Sequence, residues 1–224
     1  YIEGVVLMNQ VQLNAIQKYA HAQLQADKTG HGFDHIQRVV AIARQIATQE
    51  QANLFITLAA AYLHDVIDDK LVADPQAAQA HVRTFLSTTG LTPTEVEQIM
   101  VIITNMSFAS TLNKDTPSLS LEGQIVQDAD WLDAIGAIGI IRAVYFGGAH
   151  GEKIHDPAIP PRHNMSKEEY RNLDHETIIN HFDEKLFKIS AMLNTPTGRK
   201  MAAHRHRFMQ EFLAEFHAEW AGQK

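Results

Sequence analysis

Apolar residues recur at spacings of three and four along almost the whole chain, which is the period of amphipathic helices. Val11, Leu13, Ile16, Tyr19, Ala20 and Leu24 mark a first helix over about 9–26, broken by Thr29-Gly30-His31-Gly32. Ile36, Val39, Val40, Ile42, Ala43 and Ile46 mark a second, which runs to about Glu50 with Asp34 as its expected cap. Residues 53–66 are apolar nearly throughout, as in a central helix buried on most sides. Asp74-Pro75 and Thr92-Pro93-Thr94-Glu95 read as helix starts, with proline in the first turn.

Residues 107–120 are polar and rich in Ser and Thr, and read as a loop. A long apolar segment, 121–146, follows, where Gly136 and Gly139 predict close packing or a kink. Gly147-Gly148, Gly151, Pro157, Pro160 and Pro161 mark residues 147–165 as a long loop. Two further helices are expected, over about 167–193 and 196–220. Phe208, Phe212, Phe216 and Trp220 form a stripe that is expected to face the core. No strand pattern and no internal repeat is visible. The reading is a single all-α domain over residues 1–224. Residues 1–10 are expected to be disordered or cloning-derived, with Met8 as a candidate natural start.

Composition narrows the chemistry. The 224 residues include no cysteine and 13 histidines, so thiolate nucleophiles and thiolate zinc sites are excluded and any transition metal must be held by imidazole and carboxylate. The net charge of −7 and the lack of a basic patch point away from a nucleic acid polymer. They are compatible with a small phosphorylated substrate met by a cation. There is no stretch of about 20 apolar residues and no secretory leader pattern, so the expectation is a cytoplasmic protein without a membrane partner. A homodimer is left open.

Two His-Asp dipeptides occur, His64-Asp65 and His155-Asp156. The first ends the most apolar helix, where an imidazole and a carboxylate are costly to bury unless paired or metal-bound. The second lies in the Pro-rich loop. Asp130 sits among Ile125, Val126, Leu132 and Ile135, and His35 lies in the first turn of an amphipathic helix. Each is a ligand type placed on a core-forming element.

The order His35, His64-Asp65, Asp130, with one group on each of three helices, resembles the HD superfamily of metal-dependent phosphohydrolases. The local words are His35-Ile36-Gln37-Arg38-Val39, Ala60-Ala61-Tyr62-Leu63-His64-Asp65-Val66 and Asp128-Ala129-Asp130-Trp131-Leu132-Asp133-Ala134-Ile135-Gly136. Phe146-Gly147-Gly148, His181-Phe182, Glu184-Lys185-Leu186 and His206-Arg207-Phe208-Met209 extend the likeness to the bacterial YpgQ/YedJ-type subgroup.

The resemblance implies an HD-type helical bundle with an additional C-terminal helical region. It implies His35, His64, Asp65 and Asp130 as ligands of one divalent ion, with Mn²⁺ favoured and Mg²⁺ or Fe²⁺ as alternatives. It implies hydrolysis of a nucleotide by a water activated at the metal, with nucleoside or deoxynucleoside triphosphates going to monophosphate and pyrophosphate. The alternatives are a 5′-nucleotidase, a guanosine-tetraphosphate hydrolase or a non-catalytic metal- or nucleotide-binding module.

Asp68 and Asp69 are the candidate catalytic acids. If the helix persists, Asp68 falls one turn beyond His64 and Asp69 one turn beyond Asp65, and the run resembles the His-Asp-x-x-Glu-Asp of guanosine-tetraphosphate hydrolases. Arg38 shares the helical face of His35 and is the first candidate for substrate phosphate. Lys185 and Arg142 follow from the subgroup likeness. Arg199, Lys200, Arg205 and Arg207 read as a solvated face. The subgroup carries a basic residue after the last ligand aspartate, where this chain has Trp131, to stack on a base or to pack in the core. Asp128 and Asp133 are candidate supports of the ligands. His31, His163, His175 and His181 show no spacing that argues for a second metal.

Overall fold

The computed structural model describes residues 2–25, 32–68, 71–107, 117–163 and 176–224. The protein is all-α. Among the described residues the only β pairing is an isolated bridge between Lys153 and Thr177. Contacts divide the chain into two compact units, Tyr1–Ala129 and Asp130–Lys224.

The first unit contains α1 (Ile2–Leu24), α2 (Phe33–Glu50), α3 (Leu54–Leu63), α4 (Pro75–Thr88), α5 (Pro93–Asn105) and the first nine residues of α6 (Leu121–Asp133). The short α3 is packed by α1, α2 and α5, which explains why it is apolar on nearly every side. Its one buried hydroxyl, Thr57, donates to the Asn53 carbonyl at 2.8 Å. Asn53 caps the helix by accepting from Ile56 N at 3.2 Å, and its own N–H donates to Glu122 at the start of α6. Around α3, the side chains of Ile16, Ile36, Val39, Ile46, Leu58, Leu63 and Ile99 are fully buried.

The helix starts at Asp74 and Thr92 are as the sequence predicts. Asp74 accepts from Ala77 N, and Thr92 and Glu95 form a reciprocal capping box. Asp34 is different. Helix α2 begins at Phe33 with Gly32 as its N-cap, and Asp34 lies in the first turn, where it accepts from Arg38 at 2.7 Å. Helix α1 begins at Ile2 rather than near residue 9.

The second unit contains the last turn of α6, α7 (Gly136–His150), a π-helical turn (Phe182–Leu186), α8 (Phe187–Met192) and α9 (Pro196–Trp220). The apolar segment expected as one helix is thus two. Ile135 is extended, Gly136 has φ +77°, and a Cβ on Gly139 would lie 2.2 Å from the Ala134 carbonyl oxygen. Only glycine permits this sharp break. Helix α7 then runs through Gly147-Gly148 to His150, so the loop starts at Gly151, in the left-handed region. The Phe stripe of α9 is not the core face. Ala202, Met209 and Leu213 are buried, whereas Phe208 and Trp220 are 42% and 51% exposed. Residues 108–116 of the loop expected over 107–120, residues 164–165 of the loop expected over 147–165 and residues 167–175 of the helix expected over 167–193 lie outside the described residues.

Arg162 anchors the loop after α7. Its guanidinium donates to both oxygens of buried Glu184, at 2.7 to 3.2 Å, and lies 3.1 Å from Glu176. His181 Nδ1 lies 2.8 Å from the other Glu176 oxygen. Burial pushes the Glu176 carboxyl up, but the hydrogen bond and charge of His181 and the charge of Arg162 outweigh it, and the net direction is down. A buried charge held this way is costly to unpair.

Two outcomes are expected. Gly139→Ala will destabilise the protein by about 1–3 kcal/mol through overpacking against backbone, read as a lower urea midpoint; an unchanged midpoint would contradict the close approach. The depressed Glu176 carboxyl contributes stability that is fully present above the ordinary carboxylate range and is lost as pH falls through its lowered folded value. Glu176→Gln will therefore flatten the fall in melting temperature on acidification, and an equally steep fall in both proteins would contradict it.

Candidate metal centre

Three helices supply the groups. His35 lies in the first turn of α2 and is fully buried. His64 and Asp65 follow the last residue of α3, each 6% exposed. Asp130 lies on the continuous helix α6 and is half-buried. One ligand atom each from His35, His64 and Asp130 lie within 4.8 Å of one another. Asp65 touches both imidazoles, with Oδ2 at 3.4 Å from His35 Nε2 and Oδ1 at 3.3 Å from His64 Nε2.

The His64 tautomer follows from its other nitrogen. Nδ1 lies 2.9 Å from the Ala61 carbonyl oxygen. A carbonyl only accepts, so Nδ1 carries the proton, and a neutral ring presents its lone pair at Nε2, the side that faces Asp65. A backbone carbonyl on the far nitrogen is the usual support of a metal-binding imidazole.

This donor set suits a divalent cation. Donors about 2.1 Å from a six-coordinate ion, at right angles to each other, lie roughly 3 Å apart. The His–Asp65 separations of 3.3 and 3.4 Å are of that order. Two imidazoles and two carboxylates leave positions for water and a phosphate oxygen. They are also mixed enough in character to favour Mn²⁺ or Fe²⁺ over Mg²⁺ in affinity. Among the described residues this is the only such cluster of three or more ligand-type side chains.

The other predicted residues fall in different places. Helix α3 stops at Leu63, and Val66 N→Leu63 O and Asp68 N→Asp65 O close tight turns after it. The condition for the spacing of four therefore fails. In three-residue turns, Asp68 follows the azimuth of Asp65 rather than that of His64. Asp68 is half-buried, and its carbonyl accepts from Leu71 N and Val72 N. Asp69 lies outside the described residues. Arg38 holds Asp34, and that hydrogen bond, ahead of an opposing desolvation, lowers the Asp34 carboxyl. Arg142 is ion-paired at 3.1 Å with Asp133, whose carboxylate is buried. Lys185 lies half-buried in the π-helical turn.

Trp131 is 4% exposed, so it packs rather than presenting a stacking face. Asp128, two residues before Asp130, is fully buried. The second His-Asp pair is not part of the cluster. The His155 ring packs on Phe216, His217 and Trp220, and Asp156 accepts from Lys153. His181 is engaged by Glu176, His163 is exposed, and His31 and His175 lie outside the described residues. Sequence reasoning missed Arg205. It is half-buried and donates to the Leu132 carbonyl at the end of α6. Its basic neighbours disguised it as part of a solvated run.

Comparison with known proteins gives the family. The model of the HD domain family matches residues 32–135, a span that holds all four groups. YpgQ of Bacillus subtilis is 34% identical over 211 residues, covering 94% of this chain and 95% of that protein. Its crystal structure in complex with ADP superposes with a TM-score of 0.77 at 33% identity, covering 95% of this chain and 96% of that one. A crystal structure from Lactobacillus plantarum is 52% identical, with a TM-score of 0.83 and coverage of 94% and 97%. An HD-superfamily hydrolase from Bacillus thuringiensis is 34% identical, with a TM-score of 0.76 and coverage of 95% and 98%. The chain belongs to the HD family, within the class of metal-dependent phosphohydrolases.

The donor geometry predicts that Mn²⁺ raises the melting temperature of the chelator-treated protein, by about 3 kcal/mol of linkage at 100 times Kd. His64→Ala will abolish that rise. A rise that persists in the variant would place the ion elsewhere.

Proposed function

We propose that the protein hydrolyses nucleoside or deoxynucleoside triphosphates to the monophosphate and pyrophosphate. The observation that carries the hydrolytic reading is the group of two imidazoles and two carboxylates, buried at His35, His64 and Asp65 and half-buried at Asp130, gathered from α2, the end of α3 and α6. The nucleotide class is supported by the ADP bound to the B. subtilis relative.

In this reading His35, His64, Asp65 and Asp130 hold one divalent ion. Such an ion supplies a Lewis acid for a phosphate oxygen and lowers the pKa of water beside it. The protein's own groups do the rest. Asp65, between the two imidazoles, fixes both rings. Asp68, one tight turn on, takes the proton of the attacking water, with Asp69 next to it in sequence. The water oxygen bonds to the α-phosphorus, the bond to the bridging oxygen breaks, and pyrophosphate leaves. Arg38 meets the phosphates, because an exposed pair such as Arg38–Asp34 is worth less than about 1 kcal/mol and exchanges readily for a phosphate. Lys185 is a second cation for the substrate. We assign Arg142 to the buried Asp133 carboxylate, where releasing it for substrate would strand a charge.

The test is to incubate metal-stripped protein with Mn²⁺ and a panel of nucleoside mono-, di- and triphosphates and guanosine tetraphosphate, and to identify the products. Monophosphate and pyrophosphate from triphosphates are expected. Orthophosphate from monophosphates, or pyrophosphate from a 3′ position, would overturn the assignment in favour of another hydrolase of the class, and no turnover with Mn²⁺ bound would favour a binding module. Asp68→Asn is expected to lower kcat by about 10²–10⁴-fold, as for loss of a general base, while Mn²⁺ affinity is kept; an unchanged kcat would remove Asp68 from the mechanism.

A further inference from the structure

Helix α6 ends three residues after Asp130, and its end is held by α9. The last carbonyls of a helix lack partners within it. Here Ala134 N reaches back to Asp130 O and Trp131 O at 3.2 and 3.1 Å, and Ile135 N to Leu132 O at 3.3 Å. The chain then leaves through extended Ile135 and Gly136 at φ +77°. Into this corner comes Arg205, whose guanidinium donates to the Leu132 carbonyl.

The aliphatic stem of Arg205 lies on Gly136. A Cβ there would approach Arg205 Cβ and Cγ to 3.0 Å. The glycine therefore serves two purposes, the positive φ and the passage of the arginine. Burial lowers the basicity of Arg205, and the charge of Asp133 partly restores it. Partial negative charge collects at a helix C-terminus, and Asp133 adds a full carboxylate, which Arg142 neutralises at 3.1 Å. A side chain that is half desolvated to reach one carbonyl holds that carbonyl in place. The carbonyl belongs to the turn that carries Asp130.

We infer that Arg205 is a positioning residue for the metal centre, fixing the last turn of α6 so that the Asp130 carboxylate meets the imidazoles of His35 and His64. The inference rests on the reading of that cluster as a metal site. Partners that orient a ligand in this way typically set metal affinity within about 10–100-fold.

The experiment is Mn²⁺ titration by calorimetry of the full chain, together with thermal melts of the metal-free proteins, for wild type, Arg205→Met, Arg205→Lys and Asp130→Ala. Methionine keeps the stem on Gly136 and removes the donors. The expected result is a Kd about tenfold or more weaker for R205M, with R205K between it and wild type. A role in stability alone would lower the metal-free melting temperature and leave Kd unchanged, and that result overturns the inference. If R205M does not fold, R205K decides: a Kd about threefold or more weaker supports it, and an unchanged Kd overturns it. Unaltered Mn²⁺ affinity in D130A would instead sink the metal-site reading, and this inference with it.

Discussion

Two imidazoles lie 3.4 and 3.3 Å from one buried carboxylate, Asp65, just past the end of the most apolar helix in the chain. Burying such groups in a medium of low polarity is costly unless charge is answered by charge and each polar atom has a partner. The rest of the first unit is arranged around that cost. Helix α3 is apolar on every side because α1, α2 and α5 enclose it, and it stops at Leu63 so that His64 and Asp65 emerge from the core together. His35 enters from the first turn of α2, on a helix whose buried face is otherwise Ile, Val and Ala. In the proposed reading a divalent ion would answer the two carboxylates and take the imidazole lone pairs, and its binding energy would also be energy of folding.

The end of α6 meets a related constraint. Asp130 must be presented at a fixed place from a helix that terminates one turn later. The structure meets this with glycines that permit a sharp exit and with Arg205, which donates to the Leu132 carbonyl. In the proposed reading Asp130 is secured by this backbone geometry as much as by its own side chain, in the way a site keeps its donors near their productive positions.

Much of this could be read from the sequence, and the reasons are physical. Helix starts at Asp74 and Thr92 were legible because capping is local and its residues are few. The grouping of His35, His64 and Asp130 was legible because charged groups in apolar helices are rare enough to signify, and the family was legible in the words around them. The decoy His155-Asp156 was separable because it lies in a Pro-rich loop rather than on a core-forming helix, although its ring packs on Phe216, His217 and Trp220. What was not legible depends on contacts distant in sequence or on backbone torsions. The end of α3 at Leu63 carries no breaker residue, so the helix looks longer on paper, and Asp68 was expected one turn beyond His64. Helices α6 and α7 share one hydrophobic pattern across their break. The Phe stripe of α9 suggested a core face, yet the buried face is formed by Gly198, Ala202, Met209 and Leu213. Arg205 has no signature at all in a run of basic residues, and its role exists only through Leu132 and Gly136.

In the proposed reading His35, His64, Asp65 and Asp130 share one ion. Pulsed electron paramagnetic resonance of the Mn²⁺-loaded protein is the decisive measurement, because the modulation from directly bound imidazole nitrogen counts the histidines. Two coordinated nitrogens are expected in the wild type, one in His35→Ala and one in His64→Ala. No nitrogen coupling in the wild type, or two in either variant, would contradict it.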